Sequence, residues 1–520
     1  MIFWTVYRLQ PIGCSKWQFK MKVAIVNPPW FEENHAVRAG SRWPHGEFDE
    51  EGDRTGYSPF PFFMAYAAAV LEKEGHDVRV MDPLTLGESR QKFMSDIKSF
   101  SPDFVVLESS TPSINYDLKT AQDLKDAVGC KIGLAGPHVT TFPKDILGSK
   151  QVDYVFMGEY EYTCRDTARA LDGKMKEKDV LGLAYHEGIT VKVNARRPLI
   201  DLNELPYPAR HLMQMEKYCE PFMQIPNVQL IQSRGCTFGC VYCLWPPVMY
   251  GGLNFRYRRP ELIVEECRHV VEKYHARELY FDDDTFNLNP QKVMEFCKAY
   301  KESGIDKIWG AMCSPVPVTR ELLETMHDAG CEALKFGVES GSRRILDLAN
   351  RKTQDLEHVK DVFKWCKEIG IRTHATFMIG LPGETKSTAK ETFDYLLRLR
   401  PDSYQVSVCT PLPGTQYYET AKEKGHLHAK CWEDYSNIHF IHDKPVVSTD
   451  GLTQEDLKSA SMYANNNLIY QLYFRKALTE PRWTAFKLLD TFRRHGLNTF
   501  YLLYRALSRV VKNKLSARQW

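Results

Sequence analysis

From Met21 onward the chain alternates short apolar runs with helical stretches, twice over, and this double alternation restricts the fold more than any other feature. In the first block, apolar runs at Val23–Val26, Val78–Met81, Phe104–Leu107, Ile132–Ala135 and Tyr154–Met157 are separated by helical stretches that include Phe62–Glu74, Tyr116–Val128 and Tyr162–Asp172. In the second, strand patterns at Val228–Gln232, Glu278–Phe281, Ile308–Met312, Ala333–Val338, Thr373–Ile379 and Tyr404–Val408 alternate with helices at Glu261–Tyr274, Gln291–Ser303, Arg320–Ala329, Leu356–Ile369 and Ser387–Arg398. Strand–helix alternation predicts parallel sheets covered by helices. The expected fold is therefore α/β. A doubly wound sheet spans 22–172, a hairpin and Pro-containing linker span 173–225, a partial barrel of six β/α units spans 226–415, and a helical region spans 416–520.

Ligands of such sheets bind at the C-terminal ends of the strands. In the first block those ends read as polar turns: Asn27, Ser109-Ser110-Thr111, Gly136-Pro137-His138-Val139-Thr140 and Gly158-Glu159-Tyr160-Glu161. No Gly-x-Gly-x-x-Gly follows the first strand, which speaks against a dinucleotide. In the second block the first strand runs into Ser233-Arg234-Gly235-Cys236-Thr237-Phe238-Gly239-Cys240-Val241-Tyr242-Cys243. Thiolates are soft ligands that suit iron–sulfur clusters or zinc. A structural zinc takes a fourth ligand, usually from a second pair, and none follows nearby. Three thiolates on a four-iron cluster leave one iron open to a substrate, so the spacing reads as a catalytic cluster. The next strand ends in Asp282-Asp283-Asp284. Three adjacent acids are costly to desolvate together unless they face a cation or solvent.

Hydrophobic content of 43%, charged content of 26% and a net charge of +2 are those of an ordinary globular protein, with no global bias toward nucleic acid. The fourteen cysteines stand mostly singly in apolar segments, such as Cys267, Cys297, Cys331 and Cys366, as in a reducing compartment. No run approaches the ~18 apolar residues of a membrane span. Residues 1–20 lack a clean signal-peptide pattern and are expected to be an upstream extension. The expected location is the cytoplasm.

The cysteine spacing, with Tyr242 before its last member, resembles the radical S-adenosylmethionine (SAM) superfamily. The resemblance implies that Cys236, Cys240 and Cys243 hold a 4Fe-4S cluster whose open iron chelates SAM. One electron then cleaves SAM, and a 5′-deoxyadenosyl radical takes hydrogen from an unactivated carbon. The resemblance further implies that Tyr242, Asp282, Asp283 and Asp284 lie close to SAM, the acids by its amino group. It places Glu339 and Ser340 near the ribose or methionine part, and Gly380 and Gly383 of Gly380-Leu381-Pro382-Gly383-Glu384 against adenine.

The first block resembles the cobalamin (B12)-binding domains that precede many radical SAM domains. That implies cobalamin contacts among Asn27, Ser109, Ser110, Thr111, Gly136, His138, Thr140, Gly158, Glu159 and Glu161. The Asp-x-His-x-x-Gly motif that carries a lower cobalt ligand is absent. His138 is open to two readings, a ligand or a support for the fold. Cys243-Leu244-Trp245-Pro246-Pro247, Arg256-Tyr257-Arg258-Arg259-Pro260-Glu261 and Phe281–Phe286 resemble hopanoid-lipid biosynthesis proteins and anaerobic magnesium-protoporphyrin monomethyl ester cyclases. The implied reaction is methylation, cyclisation or rearrangement of a small-molecule or lipid substrate. The implied reductant is a one-electron donor such as flavodoxin or ferredoxin. Arg256 and Arg258 are read either as ligands of a substrate phosphate or carboxylate, or as partners of the acidic loop.

Between Asn467 and Trp520 the chain carries 11 Lys or Arg against two acids, interleaved with aromatics. Two helices, about Trp483–His495 and Asn498–Lys514, would each have an apolar and a cationic face. They either pack on the barrel or lie peripherally on an anionic membrane surface; no nucleic-acid partner is expected. A tRNA-modifying methylthiotransferase would carry further cluster cysteines in the first block, where only Cys130 and Cys164 occur. A non-enzymatic cobalamin or iron–sulfur sensor would bind the cofactors without cleaving SAM.

Overall fold

The computed structural model describes residues 21–29, 58–436 and 445–468, with isolated pieces at 31–32, 35–37, 45–48, 54–55, 471–472 and 489. Residues 1–20 and the expected helices at 483–495 and 498–514 lie outside the described residues. Among those described, no helix is long and apolar enough to cross a membrane.

The first sheet has seven strands: β1 (Lys22–Val26), β2 (Asp77–Met81), β3 (Phe104–Glu108), β4 (Lys131–Ala135), β5 (Tyr154–Phe156), β6 (Leu183–Glu187) and β7 (Thr190–Val193). Their order is β7-β6-β5-β4-β3-β1-β2, with β1 to β5 parallel and the β6–β7 hairpin antiparallel at the edge. The hairpin was expected in a connecting segment. It joins the sheet instead, because the outer edge of β5 otherwise leaves its N–H and C=O groups unpaired. β3 is buried along its whole length and β1 along all but Lys22, as expected of strands covered on both faces. Chain order reverses between β1 and β3, which makes a crevice at their C-terminal ends.

The second sheet is parallel throughout, in the order β8 (Asn227–Leu230), β11 (Glu278–Phe281), β12 (Ile308–Cys313), β13 (Cys331–Glu339), β14 (Arg372–Ile379), β15 (Ser403–Val408). This is the expected six-stranded open barrel. Between the sheet and its covering helices the core packs on Trp309, whose ring meets Phe281, Phe286 and Phe296 at centroid distances of 5.7, 5.5 and 5.4 Å. The indole N–H donates to the Ala329 carbonyl at 2.7 Å, so the one polar atom in that cluster is satisfied. A short antiparallel ribbon, β9 (Ser233–Arg234) with β10 (Arg256–Tyr257), sits above the barrel mouth.

One helix fixes how the two sheets meet. In α1 (Phe62–Lys73) every residue from Phe62 to Leu71 is buried, the mark of a helix enclosed on all sides. Phe63, Met64, Ala67, Ala68 and Leu71 belong to the core of the first sheet, while Phe62, Ala65, Tyr66 and Val70 belong to that of the barrel. The all-apolar stretch Phe-Phe-Met-Ala-Tyr-Ala-Ala-Ala-Val-Leu therefore forms a shared wall.

Candidate active site

The cluster loop leaves β9 through Gly235, whose φ is +100°. A Cβ there would stand 2.4 Å from the Asn254 carbonyl oxygen, so only glycine makes this exit. Three neighbours then hold the loop. Asp284 accepts the Gly235 N–H at 2.7 Å, Asn350 Nδ2 donates to the Gly239 carbonyl at 2.7 Å, and the Tyr417 N–H donates to the Val241 carbonyl at 2.9 Å. Arg351 Nη1 lies 3.5 Å from Cys240 Sγ and Thr285 Oγ1 lies 3.6 Å from Cys236 Sγ. Burial pushes the free Cys236 and Cys243 thiols above their usual range; a bound iron reverses this by deprotonating the thiol outright. Three cysteines on one glycine-containing loop, with the Arg351 guanidinium directed at one sulfur, supply the donor set of a 4Fe-4S cluster. Asn350 and Arg351 carried no signal in the sequence, since a lone Asn-Arg after a helix belongs to no motif.

The acidic run splits by role. Asp283 is fully buried and accepts from the Ser233 backbone N–H, from Ser233 Oγ at 2.5 Å and from the Gln232 N–H at 3.2 Å. Asp284 takes the Gly235 N–H and the Tyr250 hydroxyl, at 2.9 Å. These two therefore brace the β9 turn and the cluster loop, a role not expected from the sequence. Asp282 lines a cavity described below.

Around the barrel mouth, three buried side chains keep an oxygen with no hydrogen bond among the described residues: Glu339 Oε2, Glu384 Oε1 and the Tyr242 hydroxyl. Glu339 sits at φ +67°, a strained conformation for this residue. Burial raises its carboxyl, offset in part by Arg351 at 3.9 Å. Burial pushes Glu384 up to about 8, although the Gly380 N–H donates to its Oε2. Gly380 and Gly383 take the left-handed turns at φ +80° and +74° that shape this loop. Orphaned buried acceptors next to the cluster loop fit the hydroxyls and ammonium of SAM. Ser340 is different: its hydroxyl is engaged by Thr392 Oγ1 at 3.0 Å and by the Ser342 N–H at 3.1 Å. Glu384 was not singled out from the sequence, because a glutamate after Pro-Gly reads as a solvated turn.

At the strand ends of the first sheet several polar groups are joined to one another. Asn27 Nδ2 donates to Asp82 at 2.9 Å; Ser109 Oγ and Ser113 Oγ donate to Asp117 at 2.6 and 2.7 Å; the Ser110 N–H donates to Ser113 Oγ at 3.1 Å. Burial pushes Asp117 up to about 7 despite those two donors. Segment 136–140, expected as a turn, forms a helical turn over Pro137–Thr141. Thr140 Oγ1 donates to the Gly136 carbonyl at 2.8 Å and accepts the Gly158 N–H at 3.0 Å. His138 is buried, with Nδ1 3.2 Å from Thr111 Oγ1 and its ring 4.8 Å from that of Trp432. Burial pulls it down to about 4, so it is neutral. Small side chains at the crevice, with Gly136 at φ +124°, fit a large group held by shape and backbone contacts.

Glu159 and Glu161 do not face that crevice. They bind across to the barrel: Arg234 pairs with Glu159 at 2.8 Å and Glu161 at 2.7 Å, and Arg256 pairs with Glu159 at 2.7 Å. Arg234 and Arg256 are cross-strand partners in the β9–β10 ribbon, a like-charge pairing that is unfavourable without the two carboxylates. Arg234 also lies over the Phe63 ring of α1, at 4.5 Å. Burial opposes ionisation of both acids; the two arginines overcome it at Glu159, which stays below its usual pKa, and not at Glu161, which is raised. Arg258 pairs with Glu266 at 2.5 Å. Both arginines that the sequence left open are thus taken up by glutamates outside the acidic loop.

Beside this ion cluster a cavity of about 40 Å³ opens between α1 and the barrel mouth. Phe62, Phe63, Trp245 and Tyr250 form its apolar side and Asp282 and Asp284 its polar side. Phe63 and Trp245 stack at 5.6 Å with their planes 7° apart, joining the shared wall to the segment just past the last cysteine.

Fold and site together define a radical SAM enzyme carrying a B12-binding domain. Residues 53–168 match the B12 binding domain family, and residues 230–396 match the Radical SAM superfamily. The chain is 30% identical to an uncharacterised methyltransferase of Pyrococcus horikoshii over 403 residues, 76% of this chain and 85% of the relative. It is 27% identical to the anaerobic magnesium-protoporphyrin IX monomethyl ester cyclase of Cereibacter sphaeroides over 514 residues, 94% of this chain and 77% of the relative. The fold is that of the cobalamin-dependent SAM radical enzyme OxsB, solved with aqua-cobalamin and SAM, at a TM-score of 0.67 and 16% identity over 94% of this chain and 72% of that one. The chain belongs to the cobalamin-dependent radical SAM methyltransferase and cyclase family. That family's cofactors are a 4Fe-4S cluster, SAM and cobalamin.

Proposed function

We propose that the protein methylates an unactivated carbon of an apolar small molecule. What carries this reading is the placement of the two ligand edges. α1 and the Glu159/Glu161–Arg234/Arg256 cluster hold the crevice of the first sheet against the barrel mouth. In this reading Cys236, Cys240 and Cys243 hold the cluster. Glu339, Glu384 and Tyr242 hold SAM, and Asn27, Ser109–Thr111, Gly136 and Gly158 hold cobalamin. When bound, these groups supply a carbon-centred radical and a transferable methyl group. The chain's own contribution is placement: Asp283 and Asp284 fix the cluster loop, and Asn350 and Arg351 hold it through the Gly239 carbonyl and the Cys240 sulfur. Burial pushes the Glu384 carboxyl up to about 8, so it keeps a proton at neutral pH and offers a hydrogen-bond donor as well as an acceptor. The wall of Phe62, Phe63, Trp245 and Tyr250 supports an apolar substrate.

Anaerobic reconstitution with iron, sulfide and hydroxocobalamin tests the reading. About four irons and one cobalt per chain are expected, and incubation of the reduced protein with methyl-labelled SAM is expected to place label on cobalamin. Four irons with no cobalt would move the assignment to cyclisation or rearrangement, and zinc in place of iron would overturn it. A membrane-surface role for residues 467–520 is checked by liposome partitioning of a chain ending before Asn467; unchanged partitioning removes it.

A further inference from the structure

We propose that the outer face of the cluster loop, framed by Leu253, Leu348 and Asn350, is the docking surface for a small acidic one-electron carrier protein. The inference rests on the cluster reading above and adds where the electron enters. Reduction transfers one electron and no atoms: the carrier is oxidised by one electron and the cluster is reduced by one. Such transfer weakens steeply with distance, so the carrier must approach the thiolates closely.

Most sides of the loop are closed. Trp245–Met249, which continues it, packs toward Pro137–Thr141 of the first domain. Asp284 and Thr285 support it from the barrel, and Tyr417 braces Val241. Outward, Thr237 is exposed, and the nearest atoms to a Cβ on Gly239 would be Asn350 Nδ2 at 3.2 Å and the Leu253 methyls at 3.3 and 3.6 Å, the ends of two exposed side chains. Leu253 is 58% exposed and Leu348 46% exposed, two large apolar side chains facing solvent beside a site that needs a partner. The stretch Arg343–Lys352 that covers the loop carries Arg343, Arg344, Arg351 and Lys352 against Asp347 alone. Asp347 offsets Arg343 at 2.6 Å and Glu339 offsets Arg351 at 3.9 Å. Arg344 and Lys352 are exposed and make no ion pair among the described residues. An apolar centre with a cationic rim, over a side of the loop left open among the described residues, is complementary to an acidic carrier.

The test follows cluster bleaching in the reconstituted full-length protein, with photoreduced flavodoxin as the probe and dithionite as a donor that needs no docking. In the double variant Arg344→Glu/Lys352→Glu, flavodoxin-driven reduction is expected to slow about ten-fold at low salt, with the difference shrinking as ionic strength rises. Reduction by dithionite is expected to be unchanged. An unaltered flavodoxin rate overturns the proposal. So does an equal loss in Lys364→Glu/Arg398→Glu, which reverses charge around a cavity of about 330 Å³ on another part of the barrel. A wild-type protein that holds iron and is reduced by dithionite keeps the functional reading standing even when docking fails; one that takes up no iron removes both.

Discussion

At the strand ends of the first sheet Ser109, Ser113 and Asp117 are joined side chain to side chain, whereas at the barrel mouth Glu339, Glu384 and Tyr242 each keep a buried oxygen without a hydrogen bond among the described residues. The two edges carry similar residue types and face each other across one wall, so the difference lies in how burial is compensated. Ser109, Ser113 and Asp117 close a local network, and a ligand there adds to a structure already satisfied. The barrel mouth holds buried acceptors at a cost of roughly 1–3 kcal/mol each, a cost that a polar ligand removes. The first edge is thus built for a group recognised by shape, the second for one recognised by its own donors.

The comparison can be broken or sharpened by substitution, from the largest effect down. Cys240→Ser should abolish the cluster at the second edge while leaving the first intact: iron falls to background, SAM cleavage is lost, and cobalt uptake persists. Glu159→Ala strips a carboxylate from between Arg234 and Arg256, and breaking a buried ion cluster in this way should cost about 3–5 kcal/mol, read as a shift in denaturation midpoint. Retained midpoint in that variant would show that the ion cluster is not needed to hold the two edges together.

Glu384→Gln should do the reverse at the barrel mouth. Burial pushes the Glu384 carboxyl up to about 8 in the folded chain, from an ordinary 4.5. The folded state therefore holds a proton that the unfolded state has lost. Its stabilising contribution is full below about 4.5 and disappears as pH rises through about 8. The Gln variant should lose that slope and be more stable than the parent near pH 8, while binding SAM about ten-fold more weakly, a difference of roughly 1.4 kcal/mol. Thermal melts across pH with equilibrium dialysis separate the two effects. Ser109→Ala should be the mildest, removing one donor to Asp117 for about 1 kcal/mol with cobalt stoichiometry unchanged. A loss of cobalt there would mean that the Ser109 hydroxyl contacts cobalamin directly and that the first edge also works through its donors.

The sequence by itself determined the two βα sheets and the cluster loop. Short continuous apolar runs rich in β-branched residues, such as Val23–Val26, suit strands covered on both faces, and three closely spaced cysteines in a glycine turn carry their chemistry locally. It under-read the helix at Arg90–Phe100, where only Phe93, Ile97 and Phe100 are buried in an otherwise charged stretch. What only the tertiary structure decided is the use of each charged group. Glu159 and Glu161 read as a ligand turn and serve as the anchor for Arg234 and Arg256. Asp283 and Asp284 read as a cation site and serve as braces. Asn350 and Arg351 read as nothing and hold the cluster loop. Apolar periodicity is written along the chain, because burial repeats with the geometry of a helix or strand. The partner of a buried charge is chosen by distance in space, and residues as far apart as Glu159 and Arg256 meet only once α1 has brought the two sheets together.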